Sequence, residues 1–247
     1  MSTKPLMIAK IRTAGAAEVV QHGESWREAD SFLRDVVMDG RRNSVYVPPF
    51  DHEDVWSGNA TIIDELVEKP DAIICSVGGG GLFSGIQLGL ERRQWKDVKV
   101  LALETVGAES LNKSLRAGQL ETLKEVTSIA TSLGAKRVAP KAFELGQRPN
   151  VTSAVLSDAE AAIGCWRLAD DERMLVEPAC GINAAVCYDG RLKKLLPSLT
   201  QDSKVVVILC GGSNITLETL MDYRRTYGCV EKNIPQVQDI ASTIAAP

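Results

Sequence analysis

Ala72-Ile73-Ile74-Cys75-Ser76-Val77-Gly78-Gly79-Gly80-Gly81-Leu82-Phe83-Ser84-Gly85 is the stretch that decides how this chain is read. It opens on a short apolar run of the kind that forms a strand buried on both faces. Four glycines follow, and then a helix. Glycines lose the most backbone entropy on folding and bring no side chain to a core, so from the sequence alone this run has no packing value. What it offers is bare N–H groups, curled into a concave nest at a helix N-terminus where a phosphate can sit.

Known phosphate loops narrow the choice. Gly80 and Gly85 have the spacing of a nucleotide-triphosphate loop, but Ile86-Gln87 stand where that loop needs lysine and a hydroxyl. A dinucleotide G-x-G-x-x-G fingerprint fails as well: Gly78 and Gly80 would need glycine at Phe83, and Gly79 and Gly81 would need it at Ser84. Glu104, ending a later apolar run, resembles the ribose-binding acid of that fold, yet the fingerprint it would serve is absent. A cradle for one small phosphate dianion remains, beside the plainer alternative of a tight strand-to-helix turn with no ligand.

Composition sets the frame. The 247 residues are 45% apolar and 24% charged, which is globular and long enough for a sizeable core. A net charge of −4 argues against a broad nucleic-acid surface. No apolar run approaches a membrane span, and Met1-Ser2-Thr3-Lys4-Pro5 leads into no signal-like core, so a soluble, cytoplasmic protein is expected. The six cysteines form no C-x-x-C pair and there are two histidines, which disfavours zinc and a disulfide framework. Most of the thiols are expected in the core.

Helix-like and strand-like segments alternate, the pattern of a mostly parallel α/β sheet with flanking helices. The spacing predicts a helix over Pro5 to Thr13 and a strand at Glu18–Gln21. Ser25-Trp26-Arg27-Glu28 has the form of a capping box opening a helix toward Met38. Ser44–Val47 reads as a strand stopped by Pro48-Pro49, and a helix is predicted over Val55 to Val67. Ala72–Cys75, Val98–Leu103 and Val205–Leu209 read as central strands buried on both faces. Ser157-Asp158-Ala159-Glu160 forms a second capping box, and Pro178 suits the first turn of a helix. Residues 1–42 are expected to be the remnant of a small domain, and 43–247 an incomplete large one.

A lone phosphate on a cofactor points to pyridoxal 5′-phosphate, and here the chain resembles a known family. Val45-Tyr46-Val47-Pro48-Pro49-Phe50-Asp51, Ser76 to Gly85, Leu103-Glu104-Thr105-Val106-Gly107-Ala108, Thr127-Ser128-Ile129-Ala130 with Leu133-Gly134-Ala135, Val176-Glu177-Pro178-Ala179-Cys180-Gly181 and Cys210-Gly211-Gly212-Ser213-Asn214 are similar, in order and spacing, to the eukaryotic L-serine/L-threonine dehydratases. The similarity runs from about Pro5 to Tyr227. It implies a fold-type-II, tryptophan synthase β-like architecture and a place in amino-acid catabolism. It implies that Gly78, Gly79, Gly80 and Gly81 hold the cofactor phosphate and that Cys210 faces the pyridine nitrogen. A neutral partner there leaves the ring a weaker electron sink, which suits β-elimination. The plain alternative for Cys210 is a buried core thiol.

The resemblance also implies a monovalent cation site at Glu104, Ala108, Ser110, Leu133 and Ala135. Carbonyls with one carboxylate make a hard oxygen site that suits potassium. The alternative is that Glu104 only pairs with a lysine or arginine.

The family's lysine, which binds the cofactor aldehyde and later takes the substrate α-proton, lies in a Ser-Phe-Lys-type motif upstream of everything matched here. Lys4 and Lys10 lie in the wrong context, and Ser57-Gly58-Asn59-Ala60 sits too near the glycine loop to be the family's substrate loop. The expectation is therefore a truncated, catalytically inactive serine dehydratase-like chain with no catalytic residue of its own. Two alternatives stand: an active dehydratase if the missing part is supplied or the natural chain is longer, and a non-catalytic subunit that pairs with an intact relative. Truncation would expose apolar faces and favour association, as a homodimer or with that relative.

Overall fold

The computed structural model describes residues 3–188 and 190–231. The chain divides into two compact units, Met1–Pro48 and Pro49–Pro247. That division falls after Pro48 rather than after Arg42.

In the first unit, helix α1 spans Pro5–Thr13 and α2 spans Trp26–Phe32, followed by a π-helical turn at Leu33–Val37. Ser25 caps α2 by accepting the Glu28 N–H, but Glu28 reaches back to the N–H of Glu24 instead of Ser25, so only half of the expected box forms. Tyr46 donates its hydroxyl to Asp30 at 2.5 Å, and Arg34 pairs with the same carboxylate. No described residue of this unit is buried.

Two strand expectations fail here. Glu18–Gln21 and Ser44–Val47 are irregular, and Val45 and Val47 are 84% and 78% exposed. β-branched residues favour a strand only through packing against neighbours, and among the described residues neither segment has a partner strand.

The second unit continues with α3 (Glu53–Asp64), β1 (Ala72–Ser76), α4 (Gly81–Arg92), β2 (Lys99–Thr105), α5 (Ser110–Ala117) and α6 (Pro140–Gly146). Then follow β3 (Val151–Leu156), α7 (Asp158–Glu172), α8 (Pro178–Tyr188), α9 (Arg191–Leu195), β4 (Val205–Val207) and α10 (Leu217–Glu231). Among the described residues the strands form one parallel sheet in the order β3-β2-β1-β4.

Side chains alternate across a strand. Ile73, Cys75, Val100 and Ala102 therefore enter one apolar cluster with Ile63, Phe83, Ile86 and Leu145. Ala72, Ile74, Leu101 and Leu103 enter the opposite one with Ala179, Ile182, Val186 and Leu133. β1 and β2 are buried on both faces as expected. β4 is not: it lies at the edge of this sheet and is half-buried. β3 was not anticipated, because Val151-Thr152-Ser153-Ala154-Val155-Leu156 alternates weakly in hydrophobicity.

Glycines bring the helices together. A side chain at Gly164 of α7 would strike the Gly181 carbonyl of α8, and one at Gly181 would lie 2.5 Å from the Ala161 carbonyl. Gly85 of α4 is equally tight against Ala60 of α3, 2.9 Å from its nitrogen. The Ser157–Glu160 capping box forms completely at the start of α7.

Candidate functional site

Strand order places the site. From β1 the chain runs outward through β2 and β3, then returns to the other side of β1 as β4. Ligands of open α/β sheets bind beyond the carboxyl ends of strands where the winding reverses. Here that point lies between β1 and β4, whose registers match Ile74 with Val207. β1 runs into Gly78–Gly81, and the chain leaving β4 reaches Cys210. Two segments far apart in sequence are thus delivered to one end of the sheet.

The glycine loop does pack, which corrects the reading of it as packing-neutral. An added Cβ at Gly78 would lie 3.0 Å from the Cα of Leu133, and one at Gly79 would enter the Phe50 ring. At Gly80 it would strike Ala142, and at Gly81 it would lie 2.9 Å from the Phe50 carbonyl. Gly80 also caps α4 in the left-handed region, with φ 95°. Packing therefore accounts for the absence of side chains. It does not account for the amides: among the described residues, the N–H groups of Gly78, Gly79, Gly80 and Gly81 donate to no protein acceptor. The carbonyls are engaged instead, Gly79 by the Ala139 N–H and Gly80 by the Ser84 N–H. Amide donors left over at a helix N-terminus, with a left-handed residue among them, form an anion nest. On this donor set the loop fits a phosphate monoester such as that of pyridoxal phosphate.

Cys210 is exposed, not a core thiol. Of the other five cysteines, Cys75, Cys165 and Cys180 are buried as expected, while Cys187 and Cys229 are exposed like Cys210. The surrounding protein, and then the Glu177 carboxylate, push the Cys210 thiol above its ordinary range.

Glu177 was quoted within a motif but not singled out as a site residue. It is buried just before α8 and tied to the segment after Cys210 from both its backbone and its side chain. Its N–H donates to the Gly211 carbonyl at 2.8 Å, and its Oε2 accepts the Asn214 N–H at 2.8 Å. Asn183 of α8 was also missed. It is fully buried and donates to the Ile208 carbonyl at 2.8 Å, and its own Oδ1 has no partner. No local pattern marks either residue, because their partners lie on other elements.

Glu104, one residue before the end of β2, is fully buried, and among the described residues it pairs with neither lysine nor arginine. Its Oε1 accepts the Leu111 N–H at 2.8 Å and its Oε2 the Asn112 N–H at 2.7 Å, satisfying two donors in the first turn of α5. Burial pushes its carboxyl up to about 8 against the downward pull of those two bonds. Ser110 is fully buried and its hydroxyl has no partner. Ala108 and Leu133 are buried in one apolar cluster, and Ala135 is half-buried. No group of three or more His, Cys, Asp or Glu able to hold a metal occurs among the described residues.

A parallel α/β sheet with an anion nest at its switch point defines a class of phosphate-cofactor proteins. The family model described as "Pyridoxal-phosphate dependent enzyme" matches residues 1–211, and the chain belongs to that family. Its architecture is that of fold-type-II pyridoxal-phosphate enzymes. It is 44% identical over 234 residues to an L-serine dehydratase of Saccharomyces cerevisiae (strain AWRI1631), covering 88% of this chain and 69% of the relative. It is 42% identical over 240 residues to the serine dehydratase-like protein of Homo sapiens, covering 93% and 71%. Among solved structures, the fungal L-serine ammonia-lyase from Rhizomucor miehei superposes with a TM-score of 0.83 at 40% identity, over 91% of this chain and 72% of that one.

Proposed function

We propose that these 247 residues form the phosphate and pyridine side of an L-serine dehydratase-like site and that, taken by themselves, they do not turn serine over. The observation that carries this reading is the row of unengaged amides at Gly78–Gly81, brought to the same sheet end as Cys210. The nest binds and orients the phosphate. Cys210 would supply a neutral thiol as the partner of the ring nitrogen. When bound, pyridoxal phosphate supplies the electron sink for chemistry at an amino-acid α-carbon. No Ser-Phe-Lys sequence occurs in the 247 residues, and Lys4 and Lys10 are exposed at α1. A lysine nucleophile and proton carrier contributes about 10²–10⁴-fold in proton transfer alone.

The test is incubation with pyridoxal phosphate, borohydride reduction and peptide mapping, alongside pyruvate formation from L-serine. Non-covalent cofactor binding without a trapped lysine or pyruvate is expected. A specifically trapped lysine together with turnover overturns the reading.

A second reading is favoured by the 42–44% identity to serine dehydratases. With the lysine-bearing part supplied, serine loses water, water is taken up again as ammonium leaves, and pyruvate results; threonine gives 2-oxobutanoate. Restoration of pyruvate formation on adding that part separates this reading from a purely non-catalytic role.

The proposal extends to potassium held by Glu104, the Ser110 hydroxyl and the carbonyls of Ala108, Leu133 and Ala135. The buried carboxylate of Glu104 and the partnerless hydroxyl of Ser110 support it. A melting temperature that rises with potassium but not with tetramethylammonium is expected. Association, as a homodimer or with an intact relative, is supported by Leu217 and Met221, exposed one turn apart on α10. Sedimentation measures it. No helix among the described residues is long and apolar enough to cross a membrane, and a cytoplasmic location is part of the same proposal.

A further inference from the structure

The Cys210–Asn214 segment leaves β4 as an exposed loop with two glycines in left-handed conformation, Gly211 at φ 74° and Gly212 at φ 97°. Such a loop holds a side chain in place only if something fixes it. Glu177 is the fixing point. Its backbone carbonyl accepts the N–H groups of Cys180 and Gly181, anchoring Glu177 to the first turn of α8. Its own N–H holds the Gly211 carbonyl, and its carboxylate holds the Asn214 N–H. A Cβ at Gly212 would fall on that carboxyl group, so residue 212 is glycine because Glu177 occupies the space. Asn214 is held a second time, by a 3.3 Å side-chain bond to Ser132.

We infer that Glu177 is the positioning residue for Cys210: its backbone N–H and its carboxyl group staple the 210–214 loop that carries the thiol. The inference rests on the reading of Cys210 as the pyridine-facing group, since a neutral thiol is what that position requires. The groups facing Cys210 among the described residues are Glu177 and Cys180 at the start of α8 and Cys75 on β1. Both cysteines are themselves raised by burial. A like charge disfavours the thiolate, in the same direction as desolvation.

The test reads the thiol and the loop separately and needs no turnover. Peptide-resolved alkylation by iodoacetamide follows Cys210 against pH, independently of the exposed Cys187 and Cys229. Glu177→Gln keeps an oxygen for the Asn214 N–H but removes the charge. A lower alkylation midpoint is expected, with Cys210 reacting faster at a given pH than in the unaltered chain. Glu177→Ala removes the staple as well, and faster hydrogen exchange at the Asn214 amide is expected. Gly212→Ala, which displaces the carboxylate without changing charge, serves if either variant fails to fold, with faster Asn214 exchange again expected. An unchanged Cys210 profile in folded Glu177→Gln, or unchanged Asn214 exchange in Glu177→Ala or Gly212→Ala, overturns the inference. Pyridoxal phosphate binding by the wild-type chain is measured in parallel. Its absence defeats the proposed function and leaves the thiol result standing or falling by itself.

Discussion

The Oε1 of Glu104 accepts the backbone N–H of Leu111 at 2.8 Å, joining the end of β2 to the first turn of α5. The other oxygen takes the Asn112 N–H, so one buried carboxylate caps a helix that has no capping side chain at its own Glu109. An acidic group is well placed at the positive end of the helix dipole.

Glu104→Gln leaves one acceptor and turns a side-chain amide NH2, a donor, toward the second N–H. A buried donor without a partner costs about 1–3 kcal/mol. Urea denaturation of the variant is expected to show a loss in that range, and Glu104→Ala a larger one.

Two helix glycines, Gly164 at the α7–α8 contact and Gly228 in α10, predict substitutions of opposite sign. Gly164→Ala forces a methyl into the Gly181 carbonyl, and overpacking of this kind costs about 1–3 kcal/mol. Gly228→Ala in α10 meets open space and gains roughly 0.5–1 kcal/mol of helix propensity. Thermal melts of the two variants should move in opposite directions.

At the nest, Gly79→Ala collides with the Phe50 ring and Gly80→Ala with Ala142 at a positive φ. Both are expected to abolish pyridoxal phosphate binding, followed by cofactor fluorescence. Gly58→Ala, in open space on α3, is expected to leave it intact.

All four tyrosines ionise late. Burial first, with Asp30 and Asp171 as neighbours, pushes Tyr46 and Tyr188 up to about 12; burial does the same for Tyr223 and raises Tyr227. The folded chain should therefore show little phenolate absorbance at pH 10–11, where the urea-unfolded chain is about half or more ionised. A raised phenol favours the unfolded state as pH rises. Stability is therefore undiminished below pH 10 and falls from there toward 12. Absorbance titration with and without urea checks this.

Some of this architecture is written locally. The β1 run, the helix that follows the glycines and the Ser157–Glu160 box are each specified by neighbours within a few residues, and each forms as read. Ser44–Val47 has the composition of a strand but no partner, and Val151–Leu156 lacks the pattern yet gains one in β2. Pairing, which is non-local, decided both.

By itself the sequence determined a run of bare backbone amides between a buried strand and a helix, since glycine run, strand and helix are contiguous and backbone amides need no other residue to make them available. It also carried the family resemblance, through motifs spread along the chain. Only the tertiary structure decided that Phe50, Leu133 and Ala142 require those glycines, that Glu104 caps a helix, and that Glu177 holds the loop of Cys210. The reason is that each of these contacts joins separate elements, the glycine loop to Phe50, Leu133 and Ala142, the end of β2 to α5, and the start of α8 to the loop after β4, and local sequence pattern carries no record of such pairings.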